Sequence, residues 1–176
     1  QPGTNRWSGV ALPWMAFGYG LSVTPLQTLT LYNAVANDGV MVKPIFVSEI
    51  KEWNKTIKKY NTEVINPKIC SQETLDKVQA VLENVVKRGT GSKLYSKDFS
   101  MAGKTGTAQV NYKDKSKLYY ASSFVGYFPA DEPKYSCIIV VHKPNVAAGY
   151  YGADVAGPVF KRIAQKIFTD SPSTNH

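Results

Sequence analysis

The fold is decided by residues 119–141, which read YYASSFVGYFPADEPKYSCIIVV. The first run, Tyr119 to Phe128, is rich in aromatic and small residues and predicts a strand. The second run, Tyr135 to Val141, is apolar along its length, which is typical of a strand buried on both faces. Turn-forming residues from Pro129 to Pro133 separate the two runs. Together the runs predict a β-hairpin.

Helices are predicted on both sides of this hairpin. Thr24 to Gln27 is a capping box that begins a helix, and Asn37 to Gly39 ends it. Ser71 predicts the N-cap of a second helix, which ends at Lys87 to Gly89. A last helix is predicted from Val155 to Phe168. Its apolar stripe is formed by Val155, Val159, Ile163 and Ile167.

Further strands are predicted before and between these helices. Val40 to Trp53 is rich in β-forming residues, and Pro44 favours an edge or a broken strand there. Ser100 to Val110 is small and β-tolerant, whereas Lys51 to Lys59 and Lys113 to Lys117 indicate solvated loops. Helices that flank hairpin-connected strands favour an α+β fold, with an antiparallel sheet covered by helices.

Composition excludes several classes of protein. The 176 residues suit one domain, and 43% hydrophobic with 19% charged residues exclude a disordered or collagen-like chain. Lys and Arg exceed Asp and Glu by 21 − 13 = 8, a charge that suits an anionic partner. No apolar run reaches the length of a membrane span.

Metal chemistry is not expected from the cysteines and histidines. Cys70 and Cys137 form no C-x-x-C pair, although a bridge between them is left open. The histidines are His142 and the terminal His176, too few for a His-rich centre. His142 ends the apolar strand and is interpreted as a structural or edge residue.

The most informative motif is GKTGTAQ at Gly103 to Gln109. Its start resembles the end of a phosphate-binding loop, but that loop needs a glycine at position 98, where Asp98 stands, and a helix afterwards. A nucleotide site is therefore disfavoured.

As a strand, the same motif can serve a ligand along its edge. Alternation directs Thr105, Thr107 and Gln109 to one face and Lys104 to the other. Both sets reach one ligand only if a peptide lies along the strand edge as an added strand. Gly103 and Gly106 would let the two backbones approach closely, and the threonine hydroxyls would meet a carboxylate. A strand with a solvated lysine and filler glycines fits these residues equally well.

The motif also carries a family resemblance. Lys104-Thr105-Gly106 is similar to the K-T-G signature of penicillin-binding proteins and serine β-lactamases. It stands in one chain with Phe17 to Gln27, Arg88 to Gly91, Tyr120 to Pro129, Ile139 to Pro144, Gly149 to Gly152 and Ala156 to Phe160. Between Trp7 and Phe168 the chain resembles the C-terminal part of a class B penicillin-binding protein, most of all the division-type, FtsI-like branch.

The resemblance implies a fold and an activity. The fold is the α+β penicillin-binding, β-lactamase-like transpeptidase fold in its C-terminal portion only, with residues 1–169 in that domain and 170–176 as a polar tail. The activity is serine D,D-transpeptidation, which cross-links peptidoglycan stem peptides in septal wall synthesis and is blocked when β-lactams acylate the serine. No cofactor and no metal are expected.

The resemblance also implies partners and a location. Stem peptides, β-lactam antibiotics and other divisome proteins are expected partners, and nucleic acid is not. The expected location is the periplasmic side of the bacterial inner membrane, through an N-terminal anchor outside this chain.

Roles for individual residues are carried over from the family. Lys104 and Thr107 are expected to be catalytic, Lys104 by placing positive charge beside the serines and Thr107 through a backbone N–H in the oxyanion hole. The hydroxyls of Thr105 and Thr107 would bind a carboxylate. Gly106 would permit close approach, and Gln109 would line the outer end of the site.

The family's other two signatures, Ser-x-x-Lys with the nucleophile and Ser-x-Asn, precede the Phe17 to Gln27 block. Ser48 to Lys51 and Ser173 to Asn175 match them only in letters, one in a β-like run and one in the polar tail. We therefore expect the nucleophile upstream of Gln1, no activity in the isolated chain, and an apolar seam on its surface.

Three alternatives stay open at this point. A β-lactam-sensing receptor shares the K-T-G signature, but it transmits a signal instead of turning over a substrate. An elongation-type transpeptidase of the same class works in the side wall rather than the septum. A nucleotidase with a phosphate-binding loop is a distant third.

Overall fold

The computed structural model describes residues 8–16, 18, 20–111, 116 and 118–170. Its helices are α1 (Ala11–Ala16), α2 (Pro25–Ala36), α3 (Gln72–Lys87) and α4 (Gly152–Asp170). Its strands are β1 (Met41–Val42), β2 (Glu49–Glu52), β3 (Lys55–Lys59), β4 (Val64–Asn66), β5 (Ala102–Val110), β6 (Tyr119–Phe128) and β7 (Tyr135–His142). Short 3-10 turns lie at Ser92–Leu94 and Val146–Ala148.

The main sheet is antiparallel, in the order β5-β6-β7. The predicted hairpin is confirmed as β6 and β7, and β5 pairs with β6 along its whole length, from Ala102 opposite Tyr127 to Val110 opposite Tyr119. The expectation that Tyr135 to Val141 is buried on both faces is wrong. Within the described residues β7 is an edge strand, so most of its side chains are only half-buried.

Helices cover the two faces of this sheet and confirm the α+β fold. On one face Phe124 of β6 packs against Phe160 of α4, with ring centroids 4.8 Å apart. On the other face Tyr127 packs in a cluster with Leu75 of α3 and Val35 of α2. Burying each large apolar side chain contributes roughly 1.5–3 kcal/mol, so the alternation along β6 holds both layers.

The predicted ends of α2 and α3 are confirmed. The Gln27 N–H donates to Thr24 Oγ1 at 3.2 Å, and the Thr24 N–H donates to Gln27 Oε1 at 2.8 Å, which is the predicted capping box. Gly39 adopts φ +81° just after α2, and the Ser71 hydroxyl caps α3.

The predicted apolar stripe of α4 is wrong in part: Val155 and Ile167 are half-buried, but the two residues between them are exposed. Val159 and Ile163 are 41% and 36% exposed, whereas Ala156, Phe160 and Ala164 are fully buried. The buried face is one residue further along because small residues let the helix approach the sheet closely. Along the described parts of the chain, no helix has both the length and the hydropathy that crossing a membrane requires.

The segment between α2 and α3 matches its prediction in part. Val40 to Trp53 forms strands that are broken around Pro44, one of the two options that the sequence left open. These strands contribute to two separate two-stranded sheets, β1–β4 and β2–β3. Lys51 to Lys59, predicted as a solvated loop, lies in the β2–β3 hairpin and is solvated as predicted. Trp53 at its tip is 97% exposed.

Two ionisable groups in the interior are held neutral by burial. Desolvation raises the pKa of Tyr127 to about 12, and its hydroxyl has no hydrogen-bond partner among the described residues. Burial also raises the pKa of the Cys137 thiol. Both Cys70 and Cys137 are free thiols, so the bridge left open by the sequence is not formed.

Apolar side chains are exposed along α1, α2 and the segment between them. These residues are Val10, Leu12, Trp14, Leu21, Val23, Leu26 and Leu31, each between 39% and 67% exposed. An apolar surface made of these side chains, which lie along one stretch of the chain, favours contact with other protein.

We expect the isolated chain to self-associate through this surface. Replacing Leu12 and Leu21 with lysine should raise the monomeric fraction in size-exclusion chromatography, because charge opposes apolar contact. Trp53→Lys is the matched control, since Trp53 is more exposed but stands apart at a hairpin tip. A wild-type chain that is a monodisperse, cooperatively melting monomer contradicts this prediction.

Candidate functional site

The Lys104 side chain reaches around the free edge of β5. Among the described strands β5 pairs only with β6, so its outer edge presents unpaired backbone groups. Lys104 and Thr105 start on opposite faces of the strand. The Lys104 ammonium nevertheless donates to the Thr105 carbonyl at 2.9 Å and to Thr105 Oγ1 at 3.2 Å. A ligand along this edge meets the ammonium and the hydroxyl together.

A second threonine hydroxyl lies against Thr105. Thr90, in the loop after α3, places Oγ1 3.0 Å from Thr105 Oγ1. If Thr90 donates, the Thr105 oxygen accepts from both Thr90 and Lys104, and its own proton is left to donate outward.

Thr107 is held by the first turn of α4. The Gly152 N–H donates to Thr107 Oγ1 at 3.1 Å. The contact requires glycine, because a Cβ at position 152 overlaps the Ser123 carbonyl and lies 2.6 Å from the Gly106 carbonyl oxygen. Since Thr107 Oγ1 already accepts one hydrogen bond, its proton is available to an anion.

Gln109 lies at the far end of β5, beside a tyrosine stack. Its Nε2 donates to the Tyr120 hydroxyl at 3.2 Å. The rings of Tyr120 and Tyr150 stack at 4.2 Å, and those of Tyr150 and Tyr151 lie 4.4 Å apart. The Tyr150 hydroxyl donates to that of Tyr151 at 3.1 Å, a bond that raises the pKa of Tyr150 to about 12. The three rings therefore form an aromatic wall at this end of β5.

A cavity of about 290 Å³ opens beside the two threonines. Thr90, Thr105, Thr107 and Tyr151 line it together with the first turn of α4. Hydroxyl donors next to an ammonium suit a carboxylate. The described residues hold no group of three His, Cys, Asp or Glu side chains arranged for a metal.

The structure brings Lys104, Thr105 and Thr107 together, with Gln109 further along the same strand. Gly106 lies between them, and a Cβ there overlaps the Ser123 hydroxyl, so a larger residue would require that hydroxyl to rotate away.

The Ser-x-x-Lys and Ser-x-Asn matches and His142 do not join the group formed by Lys104, Thr105 and Thr107. Ser48 is exposed just before β2 and begins no helix, and His142 is exposed at the end of β7. Ser173 to Asn175 lie outside the described residues, as do Phe17 and Tyr19 of the Phe17 to Gln27 block.

Two residues of the site carried no predicted role. Thr90 and Gly152 stand 15 and 45 residues from the threonines that they contact. The one sequence signal was their membership of the Arg88 to Gly91 and Gly149 to Gly152 stretches, both of which contribute to the family resemblance.

Comparisons with known proteins agree with this geometry. Residues 1–165 match the family described as the penicillin binding protein transpeptidase domain. The peptidoglycan D,D-transpeptidase FtsI of Buchnera aphidicola subsp. Baizongia pistaciae is 33% identical over 168 residues, covering 93% of this chain and 28% of that protein. Stage V sporulation protein D of Bacillus subtilis is 35% identical over 155 residues, covering 84% and 23%.

A solved structure extends the likeness to three dimensions. Penicillin binding protein 3 of Mycobacterium tuberculosis, complexed with aztreonam, has a TM-score of 0.80 and 29% identity, covering 96% of this chain and 40% of that one. The chain spans about a quarter of the length of the curated relatives described above.

We expect Gly152→Ala to displace the first turn of α4 from the sheet. The added methyl group meets two backbone carbonyls, which cannot move aside as a side chain can, and overpacking of this kind costs about 1–3 kcal/mol. Hydrogen exchange of the residue 152 amide should rise in the full-length protein as its bond to Thr107 is lost. Gly9→Ala is the control, because no atom lies within 4 Å of a Cβ there. Unchanged exchange in Gly152→Ala contradicts the prediction.

Proposed function

Because the chain belongs to the penicillin-binding protein transpeptidase family, we propose that its full-length protein is a serine D,D-transpeptidase that cross-links peptidoglycan stem peptides. The observation that carries this proposal is the free edge of β5, where the Lys104 ammonium and the hydroxyls of Thr105 and Thr107 are gathered. An extended peptide added to this edge would place its terminal carboxylate against those groups.

The proposed reaction is an acyl transfer in two steps. A serine Oγ attacks the carbonyl of the penultimate D-Ala, and the bond to the terminal D-Ala breaks, with a proton passing to the leaving amine. An amine of a neighbouring strand then attacks the acyl-enzyme, and the serine recovers its proton. Covalent catalysis of this kind needs an activated nucleophile, an oxyanion hole and a clamp on the substrate.

In this proposal the β5 edge supplies the clamp and part of the oxyanion hole. The Thr105 and Thr107 hydroxyls donate to the carboxylate, and Lys104 adds positive charge beside it. The backbone N–H of Thr107 donates to the oxyanion that develops on the attacked carbonyl. Gln109 and the tyrosine stack line the outer end of the groove.

The same contacts would serve β-lactams. A penicillin carries a carboxylate and a strained amide that a serine opens, leaving a stable acyl-enzyme. The structurally similar protein from Mycobacterium tuberculosis is complexed with the β-lactam aztreonam, which supports β-lactams as ligands of this edge.

The serine is proposed to lie outside the 176 residues. Ser48 begins no helix, so the one Ser-x-x-Lys among the described residues lacks the family's setting. We propose that the protein acts in septal wall synthesis with other divisome proteins, on the periplasmic face of the membrane. The likeness to a peptidoglycan D,D-transpeptidase FtsI supports this role.

The first test is covalent labelling. The full-length protein should form a stable adduct with a fluorescent penicillin, detected after denaturing electrophoresis, whereas the isolated 176-residue chain should form none because it lacks the nucleophile. An adduct on the isolated chain contradicts the placement of the serine. A full-length protein that stays unlabelled contradicts the proposed function.

The second test concerns the carboxylate. Thr105→Val should lower the second-order acylation rate of the full-length protein by about tenfold to a hundredfold, the value of one hydrogen bond to a charged group. Thr90→Val should have a smaller effect, since Thr90 acts through Thr105. With a penicillin methyl ester the loss in Thr105→Val should shrink, because the charge is absent. An equal loss with the ester would refute carboxylate binding by Thr105.

A further inference from the structure

The residues that follow Thr90 join two elements of the site. The 3-10 turn Ser92–Leu94 and Tyr95, which we name the bridging segment, link the Thr90 loop to α4. The Lys93 ammonium lies 2.7 Å from Asp154 Oδ1, and the Lys161 ammonium donates to the Tyr95 carbonyl at 2.9 Å.

Between these two polar contacts the Leu94 side chain packs closely against the backbone of Gly157 in α4. Leu94 is 2% exposed, and a Cβ at Gly157 lies 2.8 Å from Leu94 Cδ1. Because its neighbour Leu94 is buried against α4, the backbone of Lys93 is already held beside the helix, so forming the pair with Asp154 costs side-chain entropy but little further backbone entropy.

The bridging segment lies between the two hydroxyl contacts of the site. On its N-terminal side Thr90 contacts the Thr105 hydroxyl at 3.0 Å. On the α4 side Gly152, two residues before Asp154, donates to the Thr107 hydroxyl at 3.1 Å. The Lys93–Asp154 pair thus connects the loop that orients one threonine with the turn that orients the other, and both residues line the same cavity.

We infer that Lys93 and Asp154 are positioning residues, whose ion pair fixes the Thr105 and Thr107 hydroxyls relative to each other for one carboxylate. This inference rests on the proposed function, because it assigns the pair a part in recognising that substrate group. The pair joins residues 61 positions apart, unlike the ion pairs within single helices.

A matched control pair exists on α4 itself. Lys166 and Asp170 are also 2.7 Å apart, and the Lys166 side chain is as exposed as that of Lys93, at 75%. Both of its members lie at the C-terminal end of α4, so the control pair does not connect two elements of the site. Replacing Lys93 is the more specific test, because Asp154 also stabilises the N-terminus of α4.

The test measures acylation of the full-length protein by a fluorescent penicillin. Lys93→Met should lower the second-order rate by about twofold to fivefold, the range for an exposed pair. Asp154→Asn should lower the rate by a similar factor. The variant that carries both Lys93→Met and Asp154→Asn should be no slower than the slower single variant, because both changes remove the same ion pair. Lys93→Arg keeps the charge and should keep the wild-type rate. High salt should bring the wild type toward Lys93→Met, since it screens the pair. Lys166→Met should leave the rate unchanged.

A penicillin methyl ester separates positioning from general structural damage. Its rate should be the same in the wild type and in Lys93→Met, because the threonine hydroxyls matter most to the charged carboxylate. Equal losses with acid and ester, or Lys93→Met matching Lys166→Met, would overturn the inference. A wild type that forms no adduct would instead overturn the proposed function.

Discussion

The site depends on the close approach of the Gly152 backbone to β5 and β6. No side chain separates α4 from the sheet there, because a Cβ at Gly152 meets the carbonyls of Ser123 and Gly106. Once the helix is seated, its first N–H points at Thr107, and Phe160 two turns later packs against Phe124. One backbone contact thus aligns the core with the edge of β5 that carries the candidate site.

Local patterns predicted α2, α3, α4 and the strands of the main sheet but not how these elements pack. The capping box at Thr24 and the cap at Ser71 are satisfied within a few residues, so α2 and α3 begin where the sequence indicates. The prediction of the buried face of α4 was wrong in part because the periodicity of large apolar residues indicated Val159. The helix instead buries small residues such as Ala156. The β2–β3 hairpin was missed because its strands bury little.

The same distinction applies to the site. K-T-G lies in one strand, so Lys104, Thr105 and Thr107 were visible as a motif and are gathered by the structure. Thr90 and Gly152 reach them only through the packing of α3 and α4, which no spacing in the sequence reveals. The family resemblance included the sequence segments that contain Thr90 and Gly152, but it assigned no role to either residue.

The packing of glycines around β5 also limits how this edge can change during evolution. Gly103 and Gly152 each have backbone carbonyls where a Cβ would stand, so point mutations at these two positions damage the fold before they alter selectivity. Variation that spares the fold would therefore fall on other residues of the site, such as Thr90 and Tyr151. Changes in ligand preference would accumulate on side chains of this kind rather than at the glycines.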